Sequence, residues 1–158
     1  MKIAIIDYGA GNIQSIKFAI KRLGYDAVLT DDAAEIKAAD KVIFPGVGEA
    51  SSAMKMLKST GLDTVIPKLT QPVLGICLGM QLMCEYCEEG DTTGLSIFDA
   101  KVVRFDNSVK VPQIGWNQIY DLQSDLFEGV NEKEYVYLVH SFYVKECEET
   151  ICSTEYGV

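Results

Sequence analysis

The sequence predicts an α/β fold, a doubly wound and mostly parallel sheet with an added β-ribbon. Three observations carry this. Short apolar runs alternate with stretches of helical periodicity through the first half of the chain, and loops bearing glycine follow the first, third and fourth of those runs. From Phe98 onward the pattern turns to β-rich segments. At 158 residues, 48% of them hydrophobic, the chain is about one domain's worth and long enough to bury a core, so residues 1–158 read as a single domain.

The elements follow in order. Ile3 to Ile6 is a buried first strand, its apolar run too short for a signal peptide or a membrane span. Asn12 to Leu23 is a helix with Ile13, Ile16, Ala19, Ile20 and Leu23 at helical spacing, closed by Gly24. Ala27 to Thr30 is a second strand, Asp31 to Ala39 a short capped helix, Lys41 to Phe44 a third strand, Ala50 to Ser59 a helix and Val73 to Ile76 a fourth strand. Met80 to Glu85 looks like the opening of another helix. Strands at Lys101 to Phe105, Asn117 to Tyr120 and Tyr135 to Val144 form the ribbon near the C-terminal edge of the sheet.

Composition excludes several classes of function. A formal net charge of -9, with fourteen Lys and Arg residues in no dense run, argues against a nucleic-acid surface. Cys84 and Cys87 have C-x-x-C spacing, but on the presumed helix, with Cys147 and Cys152 distant and a single histidine, they make no four-ligand zinc set. No metal and no cofactor is expected. Five cysteines, an odd number, read as reduced thiols of a cytoplasmic protein.

The chemistry concentrates in Gly75-Ile76-Cys77-Leu78-Gly79-Met80-Gln81. An apolar strand, then G-x-C-x-G, then a helix onset is the order of a nucleophile elbow, best known as G-x-S-x-G. The flanking glycines relieve crowding at a strained turn, and the helix N-terminus favours thiolate at Cys77. The alternative is a cysteine packed as a small hydrophobe. Two more loops emerge at the same end of the sheet, where ligands bind in such folds. Asp7-Tyr8-Gly9-Ala10-Gly11-Asn12 lacks both G-x-G-x-x-G and the P-loop lysine, and reads equally as a tight turn with Asn12 as helix cap. In Pro45-Gly46-Val47-Gly48 the glycines let backbone N–H groups approach a ligand, as an oxyanion hole requires.

Together the P-G-V-G and G-I-C-L-G-M-Q segments resemble the class I, or triad, glutamine amidotransferases. Ile6 to Asn12, Pro112-Gln113-Ile114-Gly115-Trp116-Asn117 and Val139-His140-Ser141-Phe142-Tyr143 look, within that family, like the glutaminase subunits of imidazole glycerol phosphate synthases. The resemblance implies that Cys77 attacks the side-chain amide of glutamine, that N–H groups of Leu78 and of Val47-Gly48 hold the oxyanion, and that Gly46, Gln81, Ser141 and Phe142 bind glutamine. It implies a (β/α)8-barrel cyclase as partner, receiving the ammonia at a rim of Tyr8, Gly9, Asn12, Pro112, Gln113 and Trp116, with no nucleic acid or membrane involved. Two departures stand out: Ser96 where the family often has glycine, and Glu49 after the P-G-V-G loop.

A thiolate nucleophile needs an imidazole base and a group to orient it. The family's F-H-P-E-like segment has no counterpart here, and the sole histidine, His140, matches the V-H-S-Y-Y element instead. The expectation is a chain truncated at its C-terminus, inactive by itself, with His140 a structural histidine near the site. Alternatives at this point are an amidotransferase subunit of another synthase, a cysteine hydrolase, or a non-catalytic α/β binding module. Trp116 reads as an interface anchor or as cover for the core edge.

Overall fold

The computed structural model describes residues 1–157. Its first half is the expected parallel sheet. β1 (Ile3–Ile6), β2 (Ala27–Thr30), β3 (Lys41–Phe44) and β4 (Val73–Gly75) lie in the order β2-β1-β3-β4, every pair parallel. Strand alternation sends Ala4, Ile6, Val42 and Phe44 into one apolar cluster and Ile3 and Ile5 into another. The helices divide accordingly. α1 (Ile13–Arg22) lays Ile13, Ile16 and Ile20 on the Ile3/Ile5 face, while α2 (Ala33–Lys37) and α3 (Ala50–Thr60) bury Ile36, Ala53, Met54 and Leu57 on the other. Both faces of a parallel sheet are thus covered, which is the doubly wound arrangement. Leu23, the last apolar residue of the α1 stripe, sits at the C-cap and is exposed.

Helix starts explain one of the sequence departures. Asn12 Oδ1 accepts the Ser15 N–H and Asp32 accepts those of Ala34 and Glu35. Glu49 caps α3, its carboxylate accepting from the Ser52 N–H and from the hydroxyls of Ser51 and Ser52. Those hydroxyl bonds hold its carboxyl down at about 2. A carboxylate at this position therefore fixes the downstream end of the P-G-V-G loop to the helix that follows it.

The second half holds more sheet than the sequence reading placed there. After a five-residue α4 (Leu78–Leu82) the chain forms β5 (Cys84–Cys87), β6 (Thr92–Thr93), β7 (Phe98–Arg104), β8 (Gln113–Gln118), β9 (Tyr135–His140) and β10 (Phe142–Val144). A second sheet runs β10-β7-β5-β6, and β8 with β9 make the antiparallel ribbon. Three expectations are corrected. The helix expected over Met80 to Glu85 stops at Leu82, and Cys84 and Cys87 lie on a strand: the β5–β7 register shifts between Cys84 and Tyr86, so residues three apart are both buried and imitate helical spacing. β8 begins at Gln113, not Asn117. Tyr135 to Val144 is two strands, because the chain changes sheets at Ser141: His140 pairs with Gln113 of the ribbon, Phe142 with Arg104 of the second sheet.

Among the described residues no helix is long and apolar enough to cross a membrane. Ser96 explains the other departure. Its φ is 54°, in the left-handed region where glycine is at ease, and its hydroxyl makes no hydrogen bond among the described residues. Relief of the Cβ clash, less the entropy glycine adds to the unfolded chain, makes Ser96→Gly stabilising by roughly 0.5–1 kcal/mol. Urea unfolding of the two proteins measures this; a lower midpoint for Ser96→Gly would contradict the strain.

Candidate active site

β4 ends at Gly75 and α4 begins at Leu78, so two residues make the whole strand-to-helix turn. Cys77 takes the corner at φ 54°, ψ -117°, a conformation that L-residues rarely hold. Its neighbours hold it there. Ile76 N–H donates to Phe44 O at 2.9 Å, Gly79 N–H to Ile76 O at 3.0 Å and Gln81 N–H to Cys77 O at 3.1 Å. A Cβ on Gly79 would overlap the Phe44 carbonyl, one on Gly46 would overlap the backbone of Gly79, and one on Gly75 would lie 2.6 Å from Met80 Cα. The expected role of the flanking glycines is therefore met, and Gly46 joins them: the P-G-V-G loop and the elbow are packed backbone against backbone.

The Cys77 thiol is exposed, whereas Cys84 and Cys87 are buried. Burial pushes the Cys84 thiol up to about 11 and raises that of Cys87 as well. Beside Cys77, the N–H groups of Val47, Gly48 and Leu78 donate to no acceptor among the described residues. Val47 and Gly48 are exposed, and Gly48 has φ 95° with open space where a Cβ would stand. The helix behind the thiol is only five residues long, so less of a helix field reaches Cys77 than a longer helix would supply.

Tyr8, expected on an exposed rim, is instead 4% exposed. Its hydroxyl donates to Pro45 O at 2.8 Å and its ring packs edge-on to Phe44. The residue props the P-G-V-G loop from beneath. Burial, and next the negative charge of a Cys77 thiolate, push its phenol up to about 12. Gln113, also expected on the rim, is 2% exposed and bonded to His140. Gly9, Asn12, Pro112 and Trp116 are exposed, with Asn12 spending Oδ1 on the α1 cap.

The glutamine-binding candidates converge from two elements. Gln81 Nε2 donates to Phe142 O at 3.2 Å, linking α4 to the start of β10. Ser141, half-buried at the sheet change, accepts the Phe105 N–H through its carbonyl. His140 has Nδ1 2.8 Å from Phe142 O and Nε2 2.6 Å from Gln113 Oε1. Both ring nitrogens thus lie against oxygens of the ribbon and of β10, and no hydrogen bond joins His140 to Cys77 among the described residues.

The outer face of the ribbon is a feature the sequence reading missed apart from Trp116. Ile114, Trp116, Tyr135, Tyr137 and Val139 all point outward and are exposed, with the Trp116 and Tyr137 rings 5.3 Å apart. The signal was the alternation of Tyr135, Tyr137 and Val139, where the apolar side of a strand faces solvent. No group of three His, Cys, Asp or Glu side chains among the described residues is placed to hold a metal ion.

Comparison with known proteins falls on the same features. The family profile described as glutamine amidotransferase class-I matches residues 4–156. The chain is 55% identical to the imidazole glycerol phosphate synthase subunit HisH of Bacteroides thetaiotaomicron, over 99% of this chain and 81% of that one. It is 45% identical to the protein of the same name from Haemophilus influenzae, over 100% of this chain and 80% of that one. A solved glutamine amidotransferase has the same fold, with TM-score 0.72 at 17% identity over 93% of this chain and 75% of that one. Another, from Thermotoga maritima, gives 0.59 at 19% identity over 92% and 62%.

The buried Tyr8 hydroxyl yields a prediction in two parts. Tyr8→Phe leaves the Pro45 carbonyl without its donor, at a cost of about 1 kcal/mol in unfolding free energy. Because folding raises the phenol from 10.0 to about 12, the folded state holds this proton more tightly. The stabilisation is complete below pH 10 and is lost as pH climbs towards 12. Urea midpoints across that window should fall more steeply for the native chain than for Tyr8→Phe; parallel slopes would refute the assignment.

Proposed function

The chain belongs to the class-I glutamine amidotransferases, and we propose that it is the glutaminase subunit of an imidazole glycerol phosphate synthase, releasing ammonia from glutamine for a cyclase in histidine biosynthesis. One observation carries the mechanism: an exposed thiol at a strained turn, beside unengaged backbone N–H groups from two different loops. Cys77 Sγ attacks the side-chain carbonyl carbon of glutamine. The carbonyl oxygen becomes an oxyanion held by the N–H groups of Leu78 and of Val47 and Gly48, each donor contributing on the order of 3 kcal/mol. The C–N bond then breaks, ammonia leaves with a proton, and a glutamyl thioester remains. Water hydrolyses it to glutamate and restores the thiol.

Glutamine lies against Gly46, Gln81, Ser141 and Phe142. His140 is not taken as the proton shuttle: its ring nitrogens lie against Phe142 O and Gln113 Oε1, and no hydrogen bond joins it to Cys77 among the described residues. Ammonia set free in water is protonated and lost as a nucleophile, so it passes directly to a (β/α)8-barrel cyclase. That partner docks at Gly9, Asn12, Pro112 and Trp116, extended by the apolar outer face of the ribbon.

Two experiments test this. In the chain extended by an H-x-E segment and paired with the cyclase, an electrophilic glutamine analogue labels Cys77 first and Cys77→Ala abolishes ammonia release. In the extended protein His140→Asn costs far less than loss of the added histidine. Unchanged glutaminase activity in Cys77→Ala would sink the assignment. For the partner surface, Trp116→Ala weakens cyclase binding or uncouples ammonia transfer while leaving the melting temperature within a few degrees of native; normal binding and normal glutamine-driven synthesis would count against it.

A further inference from the structure

We infer that Gln113 and His140 are positioning residues for the substrate glutamine, setting the carboxamide of Gln81 through the carbonyl of Phe142. The inference rests on the glutaminase reading above. A continuous hydrogen-bonded array runs from the ribbon to the elbow, and its direction is fixed at both ends by groups that can only accept. At one end Asn117 Nδ2 donates to the backbone carbonyl of Glu155 at 2.8 Å, which turns Asn117 Oδ1 towards Gln113. Gln113 Nε2 donates to that oxygen, and so Gln113 presents Oε1 to His140 Nε2 at 2.6 Å. At the other end His140 Nδ1 lies 2.8 Å from the Phe142 carbonyl, which also receives Gln81 Nε2 at 3.2 Å. Carbonyl oxygens donate nothing, so neither amide can be reversed without setting oxygen against oxygen.

The placement gives the array a task. Gln81 follows Cys77 by one helical turn, its N–H on the Cys77 carbonyl, so its carboxamide is held at a set distance from the nucleophile. One Nε2 proton is committed to Phe142 O; its remaining donor and its Oε1 make no other hydrogen bond among the described residues and are free for an amino-acid ligand. Gln81 and Gln113 are 8% and 2% exposed. A buried amide costs stability unless fully partnered, and a satisfied polar array in a core specifies one geometry where apolar packing tolerates several. His140 is further confined by the Phe105 ring, edge-on at a centroid distance of 5.1 Å. Loss of Gln113 or His140 therefore leaves Phe142 O and Gln81 in contact but free to shift, and the effect falls on glutamine binding before it falls on the thiol.

The test is steady-state kinetics of the extended chain with its cyclase, comparing His140→Phe and Gln113→Met with native. Each variant raises the KM for glutamine by about tenfold, the worth of one buried hydrogen bond, with kcat within about threefold of native. Iodoacetamide, which makes no use of a glutamine site, alkylates Cys77 at the native rate in both. His140→Phe placed in a Gln81→Leu background raises KM no further, because the array then acts on nothing. Unchanged KM in either folded variant, or a loss confined to kcat, overturns the inference while leaving the glutaminase reading intact. A native complex that turns over no glutamine overturns that reading, and this one with it. Thermal unfolding by circular dichroism confirms that the variants are folded, and Gln113→Met, which keeps the volume and shape of the side chain, carries the test if His140→Phe is not.

Discussion

The site depends on how closely three stretches of backbone approach one another. Gly46, Gly75 and Gly79 sit where any Cβ would strike the main chain of β3, of α4 or of the turn between them. That contact lets β4 turn into α4 in two residues and forces Cys77 into a φ of 54°. A non-glycine residue held there costs of order 1–3 kcal/mol, which the surrounding sheet must offset. In return the thiol stands clear of the sheet end, and the Leu78 N–H is left without an internal partner because the turn is too tight to supply one. Strain, exposure and free donors are three results of a single packing constraint.

The same constraint ties the P-G-V-G loop to Cys77, the two elements proposed above as oxyanion hole and nucleophile. Gly46 is buried against Gly79, so Val47 and Gly48 cannot drift far from Cys77 while that contact holds. Each end of the loop has its own fixture: Tyr8 donates into the Pro45 carbonyl upstream, and Glu49 caps α3 downstream. Between these fixtures Gly48 has open space where a Cβ would stand. Freedom is thereby confined to the peptide whose N–H is proposed to meet the developing charge, as preorganised catalysis would require.

Most of the first half was legible because two periodicities and a few caps decide it. β1 to β4 and α1 to α3 stand within a residue or two of expectation, and α1 is bounded by the Asn12 side-chain cap at its start and by Gly24, at φ 83°, just past its end. Glycine spacing around Cys77 revealed the elbow. The second half was harder to read for physical reasons. A register shift in β5 buried Cys84 and Cys87 together and so counterfeited a helix, and a change of sheet at Ser141 is invisible in an unbroken apolar run. Tyr8 and Gln113 were assigned to a surface because both lie in polar, glycine-bearing segments; the fold turns them inward, where their partners come from residues 37 and 27 positions away. No local pattern encodes such pairings.

The two sides of the ribbon make different demands on one pair of strands. Alternation sends Gln113 and His140 inward to the polar array, and Ile114, Trp116, Tyr137 and Val139 outward to solvent. The inner side is mixed, with Val136 and Leu138 beside the polar Gln113, Asn117 and His140, and only the polar members reach Phe142 and Gln81. A polar outer side would dissolve well and offer nothing to bury. Shifting the register by a single residue would exchange the two sets, turning the polar array out and the apolar face in. The Asn117 to Glu155 bond, by fixing the direction of the inner array, also opposes that slip. The polar residues inside the ribbon are thus proposed to serve twice: they orient the substrate side of the site, and they favour the register that keeps the apolar face turned outward.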